Sequence, residues 1–344
     1  MKYKILKKEH LNNFINLLSQ RQKVFAPVKK GEKHFVFEEV TSAAPISIKY
    51  IPTILPPKKF FMPQNETLLE YNTHEGQNME AVVEIQDIVL FGVHTCDIAG
   101  IQYLNLVFTD RPKDLNYLLR KNSITIIGLE CNDYCDEYAS CNLMENALPN
   151  GGYDLFFTDL GDYFIVHVNT LAGDNIIEIT RLFEEASHAQ LDELDKLRAN
   201  KRKIFKNEID ADITDIPALF EKGQQSKVWE DNGNRCLACG NCTNTCPTCY
   251  CFDVIDELNL DLKSGKRYRA WDSCQSEPFA KVAGGESFRK SRTQRQKHRF
   301  NRKFKFSVDK YSRYSCTGCG RCSRACMAKI NLKETLTALV KEHK

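Results

Sequence analysis

Two cysteine runs of identical spacing constrain this 344-residue chain more than any other feature: Cys236-x2-Cys239-x2-Cys242-x3-Cys246-Pro247 and Cys316-x2-Cys319-x2-Cys322-x3-Cys326. They are its only internal repeat. A loop of this spacing, with Gly240 at its turn, wraps three thiolates around one iron–sulfur cubane. The fourth cysteine points away, begins a helix and serves the other cluster. The spacing therefore predicts two [4Fe–4S] clusters with exchanged fourth ligands. Cys236, Cys239, Cys242 and Cys326 hold the first, and Cys316, Cys319, Cys322 and Cys246 the second. Such cross-ligation keeps two clusters close together, as electron transfer requires. Structural zinc is the competing reading, but zinc takes four ligands in all and rarely uses an x2-x2-x3 run even once. Met327 stands where proline usually follows the second run.

Seven of the 15 cysteines lie outside these runs. Ile88–Val93 and Ser123–Leu129 are unbroken apolar runs, the pattern of strands buried on both faces. Helical spacing over Ile98–Leu106 and Asp114–Arg120 suggests strand–helix–strand crossovers. Cys96 and Cys131 each fall just past one of the strands, where open α/β sheets bind ligands. Joined by Cys135 and Cys141, they form a candidate third [4Fe–4S] site, with His94 as a reserve ligand. Zinc and unliganded buried thiols are the alternatives there. Cys249, Cys251 and Cys274 lie between the runs and are only three. Packing thiols, an incomplete cluster site and a redox thiol set all fit them.

The remaining sequence predicts an α+β protein. A hairpin is expected at Asp154–Thr158 and Tyr163–Val168, turning at Gly161-Asp162, and a long charged helix from Glu178 to about Lys203. The polar stretch Glu208–Asn234 divides residues 1–225, an N-terminal α/β domain, from residues 226–344. The second part reads as a mostly helical two-[4Fe–4S] ferredoxin-like domain with a long insert between its motifs. Helices are expected at Gln275–Val282, Phe288–Lys303 and Leu332–Lys341, with few strand signals. At 42% hydrophobic and 27% charged the composition is globular. Ile88–Val93 is the longest clearly apolar run, far short of the roughly 20 residues of a membrane span. The basic N-terminus, Met1–Lys8, leads into leucines interrupted by Asn12, Asn13 and Asn16. That pattern predicts a short amphipathic helix instead of an export signal, and hence a cytoplasmic protein.

Charge is unevenly spread. Residues 281–344 hold 18 Lys or Arg against four acidic residues, while the first 280 residues hold 30 against 41. Arg289–Arg299, followed by Arg302, Lys303 and Lys305, is the densest basic run. Nucleic acid is one explanation, but aromatic residues for base stacking are sparse. Thiolate-ligated cubanes carry net negative charge that nearby cations offset, so a basic helix beside two of them needs no nucleic acid. It equally suits an acidic partner.

Several segments together resemble a known family. They are Phe25-Ala26-Pro27-Val28-Lys29, Pro56-Pro57-Lys58-Lys59-Phe60-Phe61, Phe91–Ile98 and Gly152–Phe157. In the last third they are Cys236–Gly240, Cys246–Cys251, Trp271–Gln275 and Val282–Gly285. Over essentially its full length the chain resembles the β subunit of soluble archaeal-type [NiFe] sulfhydrogenases. More distantly it is similar to the A subunit of anaerobic sulfite reductase. The resemblance implies an iron–sulfur subunit that relays electrons and has no substrate site of its own. Its implied partners are a flavoprotein subunit binding FAD and NAD(P)H, a small iron–sulfur subunit and a [NiFe] catalytic subunit. In the sulfite reductase relatives a sirohaem subunit takes the catalytic place. The family also implies a third cluster that uses a Cys-x-Cys pair. Here Ala139 replaces the first cysteine of that pair before Ser140 and Cys141, and Cys135 is the nearest substitute.

Overall fold

A computed structural model describes residues 2–73, 78–204 and 209–343; Glu208, the expected start of the polar boundary, lies outside them. The first six strands are β1 (Lys2–Lys7), β2 (Lys23–Lys30), β3 (His34–Val40), β4 (Asn65–Asn72), β5 (Met79–Ala81) and β6 (Ile88–His94). The next six are β7 (Ile124–Leu129), β8 (Leu155–Asp159), β9 (Tyr163–Val168), β10 (Glu184–Glu185), β11 (Phe252–Leu258) and β12 (Ser264–Trp271). Eight of them form one sheet in the order β10-β1-β9-β8-β7-β6-β2-β3. Its centre, β2-β6-β7-β8, is parallel, and antiparallel strands close both flanks.

Every residue of β6 is buried, which is why its sequence is a continuous apolar run without alternation. One face packs on the helices Leu11–Ser19 and Leu171–Thr180, with Phe14, Phe91, Phe157 and Ile176 in a shared core. The other packs on Thr95–Thr109 and Leu115–Asn122 through Leu90, Ile98, Leu104 and Tyr117. The expected hairpin is β8–β9.

Several expectations need correction. Lys2–Lys7 is a strand, held by full antiparallel pairing with β9, and the amphipathic helix follows only at Leu11–Ser19. The single helix expected from Glu178 is two helices. Leu171–Thr180 ends at Arg181, which adopts a left-handed conformation, and His188–Ile204 begins anew after β10. Gln275–Val282 yields only a short 3-10 turn at Pro278–Ala280. The Phe288–Lys303 helix starts later, at Arg292, where Ser291 and Gln294 form a reciprocal cap, and it passes into a π-helical turn at Arg302–Phe306.

The insert is not all helical. β11 and β12 pair with each other, and β12 then pairs with β4 in the sheet β11-β12-β4-β5. This pairing crosses the division at 225/226. A buried charge network explains the polar strand sequence: Glu66 of β4 accepts from Arg120 (2.6 Å) and from Arg269 of β12 (2.6 Å), and Arg269 also reaches Asp114. The remaining C-terminal helices, including Ile216–Lys222, Val228–Arg235 and Leu332–His343, enclose a third core around Trp229, Phe220, Phe300 and Phe304. No helix among the described residues is long and apolar enough to cross a membrane.

Candidate iron-sulfur centres

The two cysteine loops fold alike. Each quartet turns at a glycine with positive φ, Gly240 (+76°) or Gly320 (+73°), which opens a one-turn helix, Asn241–Asn244 or Arg321–Arg324. Those helices pack on each other, and Asn241 donates through its side chain to the Ala325 carbonyl (3.3 Å). As a result each fourth cysteine is carried to the opposite loop. One cavity is lined by Cys236, Cys239, Cys242, Cys322 and Cys326. A second is lined by Cys316, Cys319, Cys322 and Cys246. These groupings contain the two cross-ligated sets that the spacing predicts.

The donor chemistry around these sulfurs suits cubanes. Backbone amides of Ala238, Gly318 and Ile330 donate to the sulfurs of Cys236 (3.3 Å), Cys316 (3.5 Å) and Cys326 (3.3 Å). Gln296 adds an amide to Cys236 Sγ at 2.9 Å. Arg299, 6% exposed, lines both cavities, and Lys303 donates to Cys246 Sγ at 3.3 Å. Neither has a carboxylate partner among the described residues, so sulfur supplies the negative charge they face. Burial works against charge on both, yet the surrounding thiolates hold each above its ordinary pKa. Much of the basic run is thus turned inward. Arg295, also buried, donates to the carbonyls of Arg289 (3.1 Å) and Lys290 (2.7 Å).

The N-terminal cysteines are distributed differently from the expected quartet. Ligand atoms of His94, Cys131 and Cys135 all lie within 4.8 Å of one another, the only such group among the described residues. They line a cavity of about 650 Å³ beyond the ends of β6 and β7, with Tyr50 stacked on the His94 ring at 3.8 Å. A hydrogen bond from Cys135, with His94 alongside, holds the Cys131 thiol well below the usual range despite burial. His94 Nδ1 is buried without a hydrogen-bond partner among the described residues, so it is free to serve as a ligand atom. Cys96 and Cys141 are buried nearby but outside this group. Burial lifts the Cys141 thiol to about 12 and the Cys96 thiol well above its ordinary value. His94, the reserve ligand of the sequence reading, is thus the residue brought directly against Cys131 and Cys135.

Residues that sequence reasoning did not single out join this site to the second quartet. Arg321, one residue from Cys322, makes a bidentate pair with Asp97, one residue from Cys96, at 2.5 and 2.7 Å. Its Nε donates to the Thr53 carbonyl at 2.6 Å. The Ser140 amide donates to the Gly318 carbonyl at 2.8 Å, so the loop carrying Cys141 lies against the second cysteine loop. Cys249, Cys251 and Cys274 gather in a separate cavity with Cys242, Cys246 and Lys303.

Comparison with known proteins agrees with this geometry. Residues 235–330 match the family model of a 4Fe-4S dicluster domain. Over 335 residues, covering 96% of each chain, the sequence is 34% identical to the sulfhydrogenase 2 subunit beta of Pyrococcus furiosus.

Proposed function

The chain belongs to the sulfhydrogenase β-subunit family, and from that premise we propose that it is the iron–sulfur subunit carrying electrons through a hydrogenase complex. The observation that carries this reading is the pair of adjoining cavities, each lined by three cysteines of one loop and the fourth of the other. Cys236, Cys239, Cys242 and Cys326 would hold one [4Fe–4S] cluster, and Cys316, Cys319, Cys322 and Cys246 the second. When bound, such clusters accept and release single electrons at little structural cost.

The chain's own residues supply the rest. Cys322 and Arg299 line both cavities, so the two sites share a wall. Arg299 and Lys303 place fixed positive charge there, favouring the reduced, more negative state. Amide donors to Cys236, Cys316 and Cys326 act in the same direction. Cys131, Cys135 and His94, with Cys96 and Cys141 beside them, form a third metal site, and the Asp97–Arg321 pair fixes it to the second quartet. Whether a cluster or a single ion occupies it is decided by metal analysis.

On this reading electrons enter from an FAD- and NAD(P)H-binding flavoprotein subunit and leave toward a small iron–sulfur subunit and a [NiFe] catalytic subunit in the cytoplasm. Anaerobic purification of the tagged chain from its own host tests this. Co-purification of a flavoprotein and a [NiFe] subunit is expected. A sirohaem protein in the catalytic place would move the subunit to sulfite reduction and overturn the hydrogenase assignment.

A further inference from the structure

The β11–β12 hairpin does more than extend a sheet. Its open end, where Phe252 opposes Trp271, brings Cys251 beside Asp272, whose amide donates to the Cys251 carbonyl at 3.0 Å. Cys274 follows two residues later, and Cys249 arrives from the end of the first cysteine run. Cys274 thus meets two thiols more than 20 residues earlier in the chain, with Cys251 hydrogen-bonded to both Cys249 and Cys274. The cavity they line measures about 360 Å³. Thiols that served only as packing would be expected to close such a space, because protein interiors are packed to crystal-like density.

The walls are cationic. Lys58, only 3% exposed, donates to the Cys249 carbonyl at 2.7 Å and lies 4.0 Å from the Trp271 ring centre. Lys58 adjoins the cavity through Cys249, while Arg299, Arg302 and Lys303 line the cavity itself. No carboxylate pairs with Lys58, Arg299, Arg302 or Lys303 among the described residues. Only three of the surrounding sulfurs, those of Cys249, Cys251 and Cys274, are not already taken by the quartets. Buried cations in this number require a buried anion.

We propose that Cys249, Cys251 and Cys274 hold a further iron–sulfur cluster through three thiolates, with one iron left without a protein ligand and facing the cavity. A polynuclear cluster fits better than a single ion. One zinc ion draws its sulfurs together around a single centre, whereas a cubane spreads them over separate irons. The ligand atoms of this trio do not all fall within 4.8 Å of one another, in contrast to His94, Cys131 and Cys135. The remaining nitrogen donor in the cavity, His298, is engaged by Arg289 Nη1, which lies 3.2 and 3.0 Å from its ring nitrogens. The fourth iron is therefore open to a small exogenous ligand. Cys242 and Cys246 reach the same cavity, which sets this site beside both quartets.

The test uses the intact complex, purified anaerobically, with and without Cys249→Ser/Cys251→Ser/Cys274→Ser. The triple variant should lose about four iron and four sulfide per chain, while the electron paramagnetic resonance signals of the quartet clusters persist. Brief mild oxidation of the unmutated complex should expel the unligated iron and give a three-iron signal, which the variant lacks. Unchanged iron, or loss of zinc in place of iron, overturns the proposal. If the triple variant loses all its iron through misfolding, Cys274→Ser alone decides: retention of the three-iron signal overturns the site, and its loss with the quartet signals intact supports it. Because the quartet signals are followed separately, failure here is distinct from failure of the electron-transfer reading.

Discussion

The Asp97–Arg321 pair offers a quantitative test of how the α/β sheet is fixed to the second cysteine loop. Asp97 and Arg321 are 0% and 1% exposed in their side chains, so neither charge has water to fall back on. Asp97→Ala would leave the Arg321 guanidinium, among the described residues, with hydrogen bonds only to Thr53, through its carbonyl (2.6 Å) and hydroxyl (3.3 Å). Breaking one half of a buried pair costs about 3–5 kcal/mol, whereas replacing both halves by apolar groups is often nearly neutral. Asp97→Leu/Arg321→Met should therefore be more stable than Asp97→Ala by about 2 kcal/mol or more. If the damage is local to the second quartet, 3 kcal/mol raises its opening equilibrium by roughly a hundredfold. The assay is anaerobic bleaching of the iron–sulfur absorbance by a chelator, followed in Asp97→Ala, Asp97→Leu, Arg321→Met and the Asp97→Leu/Arg321→Met double variant. Fast bleaching in Asp97→Ala, restored toward wild type in the double variant, is expected. Strictly additive effects of the two substitutions would refute the reasoning.

Other predictions follow from single contacts. A Cβ at Gly318, where φ is +71°, would lie 2.3 Å from the Ser140 carbonyl oxygen. Gly318→Ala should therefore release the 138–141 loop and lower the thermal midpoint, while Gly31→Ala, which meets nothing within 4 Å, serves as a control for backbone strain alone. Lys303→Met removes a buried positive charge bonded to Cys246; potentiometric titration should show one cluster shifted to more negative potential by on the order of 100 mV. His94→Ala should cost metal at the Cys131/Cys135 site without changing the quartet signals, read by metal analysis beside paramagnetic resonance. Metal content unchanged in that variant, iron and zinc alike, would remove His94 from the ligand set.

What the sequence made legible follows physical locality. The quartets were readable because three of a cubane's ligands lie within seven residues of one chain and the exchanged fourth cysteine follows four residues later, a spacing that tetrahedral zinc rarely needs. The buried strand at Ile88 was readable because parallel central strands must be apolar on both faces. By contrast, β12 carries Lys266, Arg267 and Arg269, and its strand character depends on Glu66 and Asp114, more than 150 residues away. No local period encodes that pairing. Asp97 and Arg321 are likewise separated by 224 residues, and each looks like an ordinary surface charge until the fold joins them. The meeting of Cys251 with Cys274 has the same cause, since the hairpin that aligns them was itself hidden by its charges.

The exchange of fourth ligands is the central claim, and it can be tested without assuming which spectrum belongs to which cluster. Cys239→Ser and Cys319→Ser each mark one loop, and the paramagnetic resonance spectrum of each reduced variant identifies the cluster that loop holds. Cys246→Ser is then compared with both. The account predicts that Cys246→Ser perturbs the same signal as Cys319→Ser, although Cys246 lies in the first loop. Perturbation of the Cys239→Ser signal instead would contradict it.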